Sequence, residues 1–143
     1  MRKRTRRTIR PAKAPCLVVL ATLPELGITE HISVQALAQG WATTDHFDNL
    51  ADCRDLIAIA TAEKPDAAAT ATAELALHAL LGIKQRHQRT GKLGASGDEL
   101  QALHLLVQVS HDYWSRQAGS TFSRHYTALH AARRKQNSPE ATQ

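Results

Sequence analysis

The stretch Gly40-Trp41-Ala42-Thr43-Thr44-Asp45-His46-Phe47-Asp48-Asn49-Leu50, running on through Ala51-Asp52-Cys53-Arg54-Asp55-Leu56-Ile57, constrains the chain more than any other. It reads as the stop of one helix, a short turn and the capped start of the next. Gly40 suits the left-handed conformation that closes a helix, Thr43 or Thr44 can cap the amides that follow, and Asp45 and Asp48 suit the positive helix start. A chain organised on this corner is helical.

The remaining segments extend the same pattern. Residues 1–15 hold basic groups, threonines and two prolines and cannot bury enough apolar surface to order themselves, so they are expected to form a disordered basic arm. Cys16 to Leu23 is an apolar run too short for periodicity to choose between strand and helix. From Leu26 to Gln39, Ile28, Ile32, Val34, Leu37 and Ala38 fit a helix, with Thr29 as its cap and Gly40 as its stop. Trp41 then pins the turn by packing.

A second helix, Thr44 to Thr61, sets Phe47, Leu50, Cys53, Leu56, Ile57 and Ala60 on one face. Asp45, Asp48, Asp52 and Asp55 fall at i, i+3, i+7 and i+10, an acidic stripe on the other. Pro65-Asp66 opens a third helix to about residue 90, thin and alanine-rich at first, with Leu75, Leu77, Leu80, Leu81 and Ile83 adding bulk further along. Its basic end, Lys84 to Arg89, suits the helix dipole, and Gly91 stops it.

Ser96 and Glu99 form a capping box for a fourth helix, to about Gln117, whose inner face carries Leu100, Leu103, Val107 and Trp114, widened by Leu106, Val109 and Tyr113. Ser120 or Thr121 caps a fifth, through about Lys135, with Phe122, Tyr126 and Leu129 inward. The expected fold is therefore all-α: a single bundle of four to five helices over 16–136, with helices two, three and four as its core and a disordered tail at 137–143.

Charge divides this chain more sharply than its total suggests. The net charge is +5, but Arg2, Lys3, Arg4, Arg6, Arg7, Arg10 and Lys13 give the first thirteen residues +7 with no acid. Residues 14–130 carry −4 and residues 131–143 carry +2. A basic arm on a mildly acidic body is a different object from a protein with a basic groove. The run at 16–23 is interrupted by Pro24 and is far shorter than a membrane span, which argues against both a signal sequence and a membrane partner. The paired Arg6-Arg7 is the one feature shared with a twin-arginine signal. Two cysteines, Cys16 and Cys53, form no C-x-x-C pair and read as reduced and packed, consistent with a cytoplasmic setting.

Several short pieces together resemble small uncharacterised helical proteins encoded by tailed bacteriophages and prophages. They are the arginine-rich Thr5-Arg6-Arg7-Thr8-Ile9-Arg10-Pro11, then Ala36-Leu37-x-x-Gly40-x-Ala42-Thr43, Thr90-Gly91-Lys92, and Glu99-Leu100-x-Ala102-Leu103 leading to His111-Asp112. The resemblance implies a phage-type origin and expression in the cytoplasm of a bacterial host. It carries over no site.

Most chemistry is disfavoured on the residues themselves. A DNA-reading helix-turn-helix at Gly40 would drive four aspartates towards phosphates, and Gln35, His46 and Asn49 fall where that motif buries apolar groups. His111-Asp112 resembles half of a metal-dependent phosphohydrolase site, but no aspartate follows residue 112. No two histidines stand at i, i+4, and neither a P-loop nor a nucleophile elbow is present, so no cofactor, no metal and no enzymatic activity are expected.

Two function classes remain. The basic residues of the arm point to nucleic acid or a nucleoprotein as partner, through backbone contacts, because the arm has no aromatic residue for stacking. The stripe Asp45, Asp48, Asp52 and Asp55 points to a host protein, whose phosphate-binding site it would occupy as an inhibitor. A homodimer through the alanine-rich third helix is a further partner to consider.

Overall fold

The computed structural model describes residues 15–138, and the expected basic arm and most of the C-terminal tail lie outside that range. Five helices account for it: α1 Pro15–Gln39, α2 Thr44–Glu63, α3 Ala67–Thr90, α4 Gly97–Ser115 and α5 Gly119–Gln136. There is no strand among the described residues. The molecule is the expected all-α bundle.

The corner at Gly40 forms as its residues require. Gly40 sits at φ +81°, and its N–H and that of Trp41 both donate to the Ala36 carbonyl, at 3.0 and 3.1 Å. A β-carbon is disfavoured at that φ, which is why glycine closes this helix. Thr43 is the N-cap of α2, and His46 accepts the Thr43 N–H through Nδ1 at 2.9 Å. Trp41 packs edge-on against His46 but stays 49% exposed, so it braces the turn without being buried in it.

The α3–α4 connection is equally local. Gly91, at φ +73°, ends α3, and the Ser96 side chain accepts the Glu99 N–H while Glu99 accepts the Ser96 N–H. This is the capping box read from the sequence. At α5 the cap falls earlier than Ser120 or Thr121: Ala118 is the N-cap, and its carbonyl already accepts the Thr121 N–H.

Helix α1 corrects the sequence reading most. One helix runs through both the apolar run at 16–23 and the segment after Leu26, passing Pro24 and Gly27. Proline removes one helical hydrogen bond and strains the turn before it, but does not end a helix whose other bonds hold. Thr29 is consequently an interior position, where its carbonyl accepts from the Ser33 hydroxyl at 2.8 Å, and not a cap.

Packing runs through α2, which touches each of the other four helices. It is antiparallel to α1, since Asn49 meets Ser33 near its start, and antiparallel to α5, since Asp55 meets Arg133 and Glu63 meets Arg124. Nearer the Gly40 corner, Val34 and Leu37 join Leu50, Cys53, Leu80, Ile83, Leu103 and Val107. Towards the other end, Leu56, Ile57, Ala69, Ala73, Tyr113 and Trp114 join Phe122 and Leu129. The core is thus built by all five helices and not by helices two to four alone.

Burial also reassigns several faces. Ala69, Ala73, Ala76 and Ala79 are buried, so the alanine stripe of α3 is used inside the bundle, and Leu75 and Leu81 are turned out. Ile28 and Ile32 are exposed while Ser33, Val34, Ala36 and Leu37 are buried, and Tyr126 lies largely outside the core. Each miss concerns which side of an amphipathic helix meets its neighbours, a matter for tertiary packing that periodicity alone leaves open.

Candidate functional site

The four aspartates of the stripe share one helix but not one environment. Asp45 and Asp48 are exposed beside the Gly40 corner and form no ion pair with a described residue. Asp52 and Asp55 are half-buried against α5, where the Arg133 guanidinium binds both, reaching Asp55 Oδ2 at 3.1 Å. Asp55 also accepts from Arg54 at 2.9 Å, and Arg54 reaches on to the Ala73 carbonyl of α3 at 3.4 Å. The inner half of the stripe therefore joins α2 to α5.

Burial raises the Asp52 carboxyl above its ordinary pKa, and the charges of Arg133 and His130 oppose that shift without cancelling it. His130 lies tilted at 50° against Tyr126 with ring centroids 4.3 Å apart, and its Nε2 is buried with no hydrogen-bond partner.

Behind the stripe lies a small pocket of mixed lining that the sequence pattern does not announce. Thr29 and Glu30 of α1, Asn49, Asp52, Cys53 and Leu56 of α2 and Tyr126 of α5 enclose about 60 Å³. Burial pushes the Glu30 carboxyl up to about 7, with the Cys53 thiol pulling the other way. The Cys53 thiol is itself held well above its ordinary value, first by burial and then by the Glu30 charge. A thiol so placed is protonated and inert as a nucleophile.

A second cleft opens at the opposite end of α2. Lys64, Pro65 and Asp66 of the α2–α3 turn face Tyr113, Arg116 and Gln117 at the end of α4, around about 280 Å³. Burial, followed by the charges of Asp66 and Glu63, raises the Tyr113 phenol above its ordinary pKa. Tyr113 was expected to widen the core face, which it does, and its place in this wall went unread because Lys64 and Arg116 are far apart in sequence.

His111 and Asp112 are both exposed, with His111 beside Gly27 of α1. Among the described residues, no three of His, Cys, Asp and Glu stand together as ligands for one ion. No helix among them is long and apolar enough to cross a membrane. Arg2, Lys3, Arg4, Arg6, Arg7, Arg10 and Lys13 lie outside the described range.

The fold and these sites define a five-helix all-α bundle with polar joints between its helices. No protein-family model, curated protein or solved structure matches the chain.

Proposed function

We propose that the protein is a non-enzymatic accessory protein of phage type that binds nucleic acid or a nucleoprotein complex of a bacterial host through its basic arm. The observation that carries this reading is the separation of charge along the molecule. The +7 of residues 1–13 precedes α1, whereas the free aspartates Asp45 and Asp48 follow it. At 1.5 Å per residue, the 25 residues of α1 put about 37 Å between the root of the arm and the Gly40 corner. Fourteen residues span at most about 50 Å when fully extended, so the arm reaches those two aspartates only when largely extended. On the same stripe, Asp52 and Asp55 already hold Arg133. Seven cations without an acid among the first thirteen residues favour a phosphate backbone as partner for the arm.

Gel mobility at low salt tests the reading. A shift is expected with DNA or RNA, its affinity falling with salt at a slope near −6 on duplex DNA if all seven cations engage. Replacing the seven basic residues with glutamine removes the shift. No shift with any DNA or RNA overturns the proposal.

The inhibitor reading is favoured by one observation, the exposure of Asp45 and Asp48 without ion pairs. It narrows the acidic surface to those two, because changing Asp52 and Asp55 also breaks the joint to α5. Capture of a host protein that survives neutralisation of the arm and is lost on D45N/D48N supports it; capture indifferent to D45N/D48N removes it. A homodimer has to use a surface other than the buried alanines of α3.

A further inference from the structure

We propose that the outward stripe of α1 is the face of a homodimer, in which the α1 helices of two copies pack antiparallel about a two-fold axis and the basic arm of each emerges towards Asp45 and Asp48 of the other. The contact is independent of the function proposed above, since neither copy needs nucleic acid to form it.

Helix α1 packs on α2, α4 and α5 and leaves one side uncovered. Ile28, Ile32, Gln35 and Gln39 stand at i, i+4, i+7 and i+11 along that side, flanked by His31 and Ala38, and all six are exposed. None of them is Asp, Glu, Lys or Arg. From Gly27 onwards the one acid of this helix, Glu30, is turned into the bundle. Each of the other four helices carries charge on its exposed surface, as a solvated face does: Asp45 on α2, Glu74 on α3, Asp98 on α4 and Arg124 on α5.

The apolar content of the stripe is equally unlike a solvated face. Ile28 is 59% exposed and Ile32 47%, and Trp41, 49% exposed, closes the row. The Trp41 Nε1 donates to the Gln39 Oε1 at 3.1 Å, which holds the indole on the same side of the helix. Large apolar groups with an aromatic anchor and no charge among them form a contact surface.

Charge selects the occupant. A stripe without a cation gives a phosphate backbone nothing to hold, whereas a stripe without net charge does not repel a copy of itself. A two-fold axis between Ile32 and Gln35 sets Ile32 against Gln35 of the other copy, and Ile28 against its Gln39 and Trp41. Parallel packing would bring the two arms, each carrying +7, side by side.

Antiparallel packing separates the arms and sets each near opposite charge. With Ile32 level with Gln35, Gly27 of one copy is level with Gly40 of the other, so the twelve residues before Gly27 put the root of the arm about 18 Å from the partner's corner. Within one chain the same distance is about 37 Å. Asp45 and Asp48, exposed and without an ion pair to a described residue, thus lie well inside the span of the other copy's arm. Seven cations outnumber two aspartates, so most of the charge of each arm stays available to nucleic acid.

Sedimentation equilibrium of the full-length, nuclease-treated protein tests the proposal, from about 5 to about 200 µM, the range in which an interface of small area dissociates. A monomer–dimer equilibrium is expected. I28E/I32E should raise the dissociation constant at least about a hundredfold by setting carboxylates against apolar groups, and W41A should raise it about tenfold. Because the isoleucines are exposed, I28E/I32E should keep the helical circular dichroism and the melting temperature of the parent.

The arm contact is read separately. At low salt, D45N/D48N and replacement of the seven basic residues with glutamine should each weaken the dimer about tenfold, since the contact occurs twice about the two-fold axis. Combining them should weaken it no more than either alone. A parent that stays monomeric at every concentration, or a dimer that I28E/I32E leaves intact, overturns the proposal. So do aspartate and arm changes that leave the dimer unaltered or whose effects simply add, because the arm then does not meet those aspartates.

Discussion

Two polar joints hold this bundle, and they work in opposite ways. Between α3 and α4, Arg86 grips Glu99 with two bonds of 2.9 and 3.1 Å and gives a third to the Gly94 carbonyl, while Glu99 also takes the Ser96 N–H. The Arg86 bond, aided by Ser96, lowers the Glu99 carboxyl below its ordinary value. Between α1, α2 and α5, burial wins: Glu30 and Asp52 are both raised despite the thiol, imidazole and guanidinium beside them. The first joint favours the charged carboxylate and the second disfavours it, because one lies at the edge of the bundle where water still solvates it and the other lies behind α1.

The largest consequence is a dependence of stability on pH that belongs to the second joint. Glu30 is raised from 4.5 to about 7, so its contribution is fully present below the unfolded value and is lost as pH rises through about 7. A shift of that size corresponds to about 3 kcal/mol. Glu30→Gln is therefore expected to be more stable than the parent at pH 8 and to lose most of the difference at pH 4.5. Urea unfolding at the two pH values checks it, and parallel pH profiles for the two proteins would show that Glu30 is solvated after all.

Next in size is the ion pair that closes the same joint. Removing the Arg133 side chain leaves Asp52 and Asp55 half-buried without their common cation. The cost should be about 2 kcal/mol, below the full value for a buried pair because all three groups keep some contact with water. If this is the cause, adding D52N and D55N to Arg133→Ala recovers part of the loss in thermal melts. An Arg133→Ala protein as stable as its parent would make the contact a surface decoration and leave the acidic stripe free for a partner.

The two joints also differ in how far the sequence announced them. Ser96 and Glu99 are three residues apart, a spacing at which helix geometry alone brings the side chain back to the cap, and Gly91 marks the turn before them. The same local logic made Gly40 and Thr43 legible. Asp55 and Arg133 are 78 residues apart, and only the docking of α5 on α2 brings them together. Glu30 was hidden for a related reason: Ile28 and Ile32 fit an inward face as well as Val34 and Leu37 do, and the choice between them is made by α2, α4 and α5. The cleft at Tyr113 is likewise assembled from two turns that share no sequence neighbourhood.

The smallest expected effect separates charge from packing at the α3–α4 joint. A β-carbon built on Gly82 would lie 2.7 Å from Glu99 Oε1, so Gly82→Ala forces the carboxylate aside from Arg86. Alanine in a helix interior gains about 0.8–1.0 kcal/mol over glycine, close to what an exposed arginine clasp contributes. Stability at pH 7 should therefore change by less than about 0.5 kcal/mol. The acid limb should not stay the same. A lowered Glu99 stabilises the fold above its unfolded pKa and loses that contribution as pH falls through the folded value. The Gly82→Ala protein should accordingly lose less stability than its parent between pH 5 and pH 3, as Glu99→Gln should. A full-sized acid loss in Gly82→Ala would mean that Glu99 keeps its grip on Arg86 by rotating past the new methyl group.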